Sequence, residues 1–152
     1  MALKIGDKLP RLTLKDQEGE NYHFSRLEDK ALVIFFYPKD FTPGCTKEAC
    51  SFRDHYEEFQ DLGAEVIGIS TDNENSHKKF ASKYKLPFIL LSDKEKRARK
   101  AFGVKPGLLG LLPGRETFVF DKDKKLIHRF NSMGASQHIP EALNSLKKIQ
   151  EK

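Results

Sequence analysis

Cysteine is scarce in this chain: there are two among 152 residues, Cys45 and Cys50, with four positions between them. A pair so placed excludes the disulfide-stapled scaffold of small secreted proteins, in which many cysteines replace a core. Long apolar runs are missing too. No such run precedes Lys4, and the longest one, ALVIFFY at 31–37, is far too short to cross a bilayer. The expectation is a soluble chain without membrane association, cytoplasmic and kept reduced; the alternative is a plastid, if a transit peptide has been removed from a precursor. In such a compartment two thiols serve transient chemistry rather than a permanent staple. The five histidines, His23, His55, His77, His128 and His138, are scattered without metal-ligand spacing, so neither zinc nor any other cofactor is expected. Repeats, linkers and low-complexity stretches are absent. A hydrophobic content of 38% over 152 residues suits one domain, residues 1–152, with its own core. The formal charge of +5 is spread along the chain, and only KEKRARK at 94–100 forms a basic cluster, so no nucleic-acid partner is expected.

What is present has a clear order. LKIGDKLPRLTLKDQEGENYHFSRL alternates apolar and polar residues at Leu12 and Leu14, breaks at Gly19 and resumes at Tyr22 and Phe24, which predicts a hairpin. ALVIFFY is continuous and β-branched, as a central strand covered on both faces must be. From Cys45 to Gly63 the apolar residues Ala49, Phe52, Tyr56 and Phe59 recur at helical spacing, predicting one amphipathic helix stopped by glycine. AEVIGIS at 64–70 and PFILLSD at 87–93 read as strands, with a helix over NENSHKKFASKYK between them and a short basic helix, EKRARKAFG, after them. ETFVF and KLIHRF around DKDKK form a second hairpin. A last helix runs from about Gln137 to Gln150, with Ser136 as its N-cap and Pro140 in its first turn. The class is α/β: a central mixed sheet flanked by helices, with an N-terminal hairpin.

Cys45 stands where a buried strand has ended, a Pro-Gly loop has turned and a helix begins. Its sulfur is therefore expected near backbone amides that lack helical partners, and the positive end of the helix favours the thiolate form. Thr42 places a hydroxyl donor three residues earlier in the same loop. Residues five apart on an ideal helix are turned by about 140° and raised by about 7.5 Å, so their Cα atoms lie about 8.7 Å apart. Bridged cysteines need Cα separations below about 7 Å, so these two can join only if the first turns of the helix unwind.

PKDFTPGC at 38–45 fits the P-x-x-x-T-x-x-C signature of the peroxiredoxins, and GCTKEAC with its second cysteine five on resembles the bacterioferritin comigratory protein or PrxQ branch. The RDHYEEF helix and PGRETFVFDKD extend the similarity over essentially the whole chain. The resemblance implies a thioredoxin-like fold. It also implies that Cys45 attacks a peroxide O–O bond and becomes a sulfenic acid, that Thr42 orients the peroxide, that Pro38 shields the thiolate from water, and that Arg115 stabilises both thiolate and transition state. Glu48 is the expected partner of Arg115. Cys50 resembles the resolving cysteine that closes an intramolecular disulfide. The implied enzyme is a monomeric thiol peroxidase acting on hydrogen peroxide and organic hydroperoxides without metal or haem, recycled by thioredoxin or another dithiol reductant. The alternative is a general thiol-disulfide oxidoreductase, disfavoured because such proteins carry C-x-x-C. Two departures or open segments stand out: DKDKK at 121–125 lacks the glycine usual in that hairpin, and GLLGLLPG at 107–114 either covers the core or lines the site or a docking face.

The geometry of the two thiols carries a prediction. The intramolecular disulfide form should show less helical circular dichroism, faster amide exchange over residues 42–56 and a lower Tm than the dithiol form. An intact helix through Cys50 in protein proven by mass to hold that disulfide would refute the unwinding.

Overall fold

The structure is a computed structural model that describes residues 3–24, 29–105 and 114–150. Its frame is a seven-stranded mixed sheet in the order β2-β1-β5-β4-β3-β6-β7. β3 (Ala31–Phe36) is the axis, as its unbroken apolar run requires. It pairs in parallel with β4 (Ala64–Ser70) on one side and antiparallel with β6 (Glu116–Phe120) on the other. β5 (Ile89–Ser92) continues the parallel part, and β1 (Thr13–Asp16) with β2 (Asn21–His23) forms the expected hairpin at that edge. β7 (Leu126–Asn131) closes the opposite edge on β6.

Period-two alternation sends successive β3 residues into two cores. Ala31, Val33 and Phe35 face a layer built from α1 (Pro43–Asp54), α2 (Tyr56–Asp61), α3 (Glu74–Tyr84) and α5 (His138–Gln150). Leu32, Ile34 and Phe36 face α4 (Arg97–Phe102) and the hairpin residues Leu14, Tyr22 and Phe24. Every β3 residue is buried, which satisfies the two-sided strand read from the sequence.

The structure departs from the sequence reading at several boundaries. The helix starts at Pro43 instead of Cys45, with Thr42 extended at its N-cap, because proline at the first helical position has its φ preset and no amide to lose. The same helix does not run on to Leu62. It breaks at His55, where φ is −106° and ψ 8°, so α1 and α2 are separate. At α5 the carbonyl that accepts the first helical bond, from Glu141, belongs to Gln137 and not to Ser136. In the glycine-less hairpin, Lys124 takes a φ of 64°, a left-handed conformation held by bonds from the Asp123 and Lys125 amides to the Asp121 carboxylate. The leucine-rich stretch at 107–114 lies outside the described residues apart from Gly114. No helix among the described residues is long and apolar enough to cross a membrane.

Phe52 joins α1 to the sheet by stacking on Phe35 at a centroid separation of 4.4 Å, with Phe59 of α2 at 5.6 Å from it. Phe52→Ala should therefore cost about 3–5 kcal/mol in urea unfolding of the reduced protein. A loss under about 1 kcal/mol would mean that α1 is not anchored through this ring.

Candidate active site

The register of β3 on β6 builds the site. Phe36 pairs with Glu116, so Tyr37 and Pro38, leaving β3, run beside Arg115 as it enters β6. The loop from Pro38 then reaches α1 through a tightly held Asp40. Its carboxylate accepts from Tyr37 Oη at 2.6 Å and Ser76 Oγ at 2.8 Å and meets His77 Nδ1 at 2.8 Å, while its amide donates to Asp72 at 2.7 Å. Burial, and then the neighbouring Asp40, push the Tyr37 hydroxyl well above its usual range, so it stays a donor. Phe41 follows with φ at 66° and its ring against Phe80, a strained conformation that the pinned Asp40 makes tolerable.

α1 begins directly after this loop. Cys45 is its third residue, within the first turn whose amides lack helical partners, and no acidic side chain shares that turn. The Arg115 guanidinium adds a full positive charge, with Nη2 donating to Cys45 Sγ at 3.5 Å. Both surroundings turn positive charge toward the sulfur. Gly44 permits the approach, since a Cβ there would stand 3.1 Å from Arg115 Nη2. Arg115 is itself fixed by Nη1 to Glu48 Oε1 at 2.6 Å and Nε to the Met133 carbonyl at 3.0 Å. Cys45, Glu48 and Arg115 are all buried. Burial works against the charge of Arg115, but Glu48 and the Cys45 sulfur outweigh it and hold its pKa above the ordinary value.

Glu48 shows the opposite balance. Burial, only partly offset by Arg115, pushes its carboxyl up to about 7. Its Oε2 has no hydrogen-bond partner among the described residues and lies 3.5 Å from His138 Nδ1. This is not an ion pair, because burial lowers His138 to about 4 and leaves the ring neutral. His138 Nε2 donates to the Ser132 carbonyl at 2.8 Å, and Nδ1 accepts from Thr117 Oγ1 at 2.7 Å.

The expected residues therefore divide. Cys45, Arg115 and Glu48 are in direct contact. Thr42 caps the same helix, but its hydroxyl donates to the Lys39 carbonyl at 2.8 Å, so in this state its free capacity toward a peroxide is as an acceptor. Pro38 is half-buried at the start of the loop. Cys50 is half-buried on α1, and both cysteines are free thiols. Sequence reasoning missed His138, Thr117, the Asp40 and His77 clamp, and the inward turn of Arg99, which is 6% exposed. Arg99 belongs to the basic cluster at 94–100, and its burial takes one of the five cations out of that cluster. The only signal for Asp40 was a charged residue inside the loop octet. Asp40, Asp72 and His77 also bring three metal-type donor atoms within 4.8 Å, and each is engaged by protein partners in the network above.

Comparison with known proteins bears on this arrangement. The AhpC/TSA family profile matches residues 5–129. The chain belongs to that family, in its peroxiredoxin Q branch. It is 51% identical over 147 residues to the chloroplastic peroxiredoxin Q of Sedum lineare, covering 95% of this chain and 78% of that one. Peroxidoxin BcpB from Mycobacterium tuberculosis superposes with a TM-score of 0.88 at 42% identity, over 97% of this chain and 98% of the other. A bacterioferritin comigratory protein from Xanthomonas campestris, studied for its alkyl peroxide reduction, superposes with a TM-score of 0.84 at 29% identity, over 94% and 99%. The fold is thus the thioredoxin-like fold of the peroxiredoxins, and the protein is a thiol-dependent peroxidase of the atypical two-cysteine type that uses a peroxide and a thioredoxin-type reductant.

The raised carboxyl of Glu48 has a pH signature. A carboxyl whose folded pKa lies above its unfolded value contributes stability that is full below about 4.5 and lost as pH rises through about 7. Glu48→Gln keeps an acceptor for Arg115 but cannot ionise. Its Tm should gain on that of the wild type as pH rises from about 5 to 7, and the difference should be flat above about 8. Parallel curves would show that Glu48 titrates alike in folded and unfolded chains.

Proposed function

We propose that Cys45 is the peroxidatic sulfur and Cys50 the resolving one, with Arg115, Glu48, Thr42 and Pro38 assisting. The observation that carries this reading is the guanidinium of Arg115 at 3.5 Å from a buried sulfur in the first turn of a helix. Cys45 as thiolate attacks the terminal oxygen of the peroxide. The S–O bond forms as the O–O bond breaks, the electron pair leaves with the distal oxygen, and that oxygen takes a proton to become water or an alcohol. Arg115 can follow the charge from sulfur to oxygen without moving far, which is what lowers the barrier. Glu48 holds Arg115 in place. Thr42 accepts a hydrogen bond from the incoming hydroperoxide while bound to Lys39, or donates once it lets that carbonyl go.

Cys50 then attacks the Cys45 sulfenic sulfur, and water leaves as the disulfide forms. This step requires α1 to unwind, and the break at His55 allows it to do so without carrying α2 along. A dithiol reductant returns both thiols by exchange. Substrates are hydrogen peroxide and organic hydroperoxides, the working form is a monomer of one domain, and the compartment is cytoplasmic. The plastid alternative has support in the chloroplastic relatives.

The roles separate in a single experiment. Cys45→Ser should lose turnover entirely, whereas Cys50→Ser should consume about one equivalent of peroxide and then hold a sulfenic acid at Cys45 that a dimedone-type probe captures. Probe capture in Cys45→Ser and none in Cys50→Ser would reverse the assignment.

A further inference from the structure

Beyond the last paired residues of β3 and β6, Phe36 and Glu116, the two chains part. One becomes the Tyr37–Pro38 entry to the loop, the other the Gly114–Arg115 entry to β6. The guanidinium of Arg99 lies across the gap: Nη2 donates to the Tyr37 carbonyl at 2.8 Å and Nη1 to the Gly114 carbonyl at 2.9 Å. It is placed from below by the Phe36 ring, 5.7 Å from centroid to guanidinium carbon, and from behind by Asp93, whose carboxylate accepts from the Ala98 and Arg99 amides at 2.9 and 3.0 Å. A buried arginine normally meets a carboxylate side to side, because that offsets the cost of desolvating its charge. Arg99 meets two neutral carbonyls instead, and its buried Nε has no hydrogen-bond partner among the described residues. Burial pushes its pKa down, and the charges of Asp93 and the Cys45 sulfur offset that only in part.

We propose that Arg99 is a positioning residue for the peroxide reaction, which holds the Tyr37–Pro38 and Gly114–Arg115 segments at one separation and adds a second positive charge to the wider surroundings of the Cys45 sulfur. The proposal rests on Cys45 being the attacking thiolate. Its partners distinguish it from Arg115. Two of the Arg115 side-chain contacts, Cys45 and Glu48, belong to α1 and are disturbed whenever that helix unwinds. Tyr37, Gly114, Phe36 and Asp93 all lie outside α1, so the Arg99 bridge persists through the catalytic cycle and keeps the frame onto which α1 rewinds. Two carbonyls from separate strands call for a planar fork, which arginine has and lysine lacks. Gly114 is fitted to the same purpose, since a Cβ there would stand 1.8 Å from the Lys105 carbonyl oxygen and push the segment off the bridge.

The test compares Arg99→Lys and Arg99→Met with Arg129→Met in a Cys50→Ser background. Arg129 is a half-buried cation on β7 that bonds to Glu116 and the Leu3 carbonyl and lies over Phe118. Each variant is mixed with excess hydrogen peroxide, and the rate constant for Cys45 oxidation is followed against pH, alongside Tm. Arg99→Lys should keep the pH midpoint but slow the step about tenfold, because one ammonium does not span both carbonyls. Arg99→Met should slow it further and move the midpoint up by about one pH unit, as loss of a nearby cation disfavours the thiolate. Arg129→Met should lower Tm without moving the midpoint. A wild-type midpoint in Arg99→Met, with a rate no lower than in Arg129→Met, would overturn the proposal. If Arg99→Met does not fold, an undiminished rate in Arg99→Lys overturns it and a slowed rate with an unmoved midpoint upholds it. Reaction of Cys45→Ser in the same assay would instead mark the failure of the Cys45 assignment.

Discussion

A buried positive charge at Arg115 is the constraint around which the rest of the site is arranged. Removing a guanidinium from water is costly unless each face of it finds a partner. Here Glu48 and the Cys45 sulfur, both on α1, and the distant Met133 carbonyl provide three partners from two parts of the chain. One consequence is felt at Cys45, whose buried sulfur meets a full positive charge. Another is felt at Glu48, where burial exceeds the help from Arg115 and drives the carboxyl up to about 7. Neutral His138 behind Glu48 avoids placing a second cation there, and its bond to Thr117 ties α5 to β6 just past Arg115.

The same site must also come apart. Closing the disulfide calls for unwinding the first turns of α1, yet Phe52 of that helix is stacked on Phe35 in the middle of the core. The structure confines the conflict to a short piece of chain. His55 separates α1 from α2, so Phe59 can stay packed while α1 changes. On the other side, the Asp40 clamp to Tyr37, Ser76 and His77 stops disruption from passing back into β3. A loop closed over four residues offers little entropic stabilisation in return, so the oxidised form is expected to be the looser of the two. Looseness at that stage serves recycling, because a reductant thiolate has to reach the disulfide.

Local pattern alone determined most of the elements of this protein and singled out its two thiols. The unbroken apolar run of 31–36 could only be a two-sided strand, the hairpins followed from alternation around polar turns, and the octet ending in Cys45, with Cys50 five residues on, carried the resemblance to the peroxiredoxins. Helix limits were less legible, because proline at position 43 extends α1 backward and nothing in the local spacing marks the break at His55. The partners of the reacting groups were decided by tertiary structure. Arg115 reaches Cys45 across 70 residues only because β3 and β6 pair in one register, and Arg99, an ordinary surface cation in sequence, turns inward because the parting of those strands leaves two carbonyls that need donors. Periodicity reports which face of an element is buried; which distant group waits there is fixed by strand order and register, and neither is written in any local stretch of the chain.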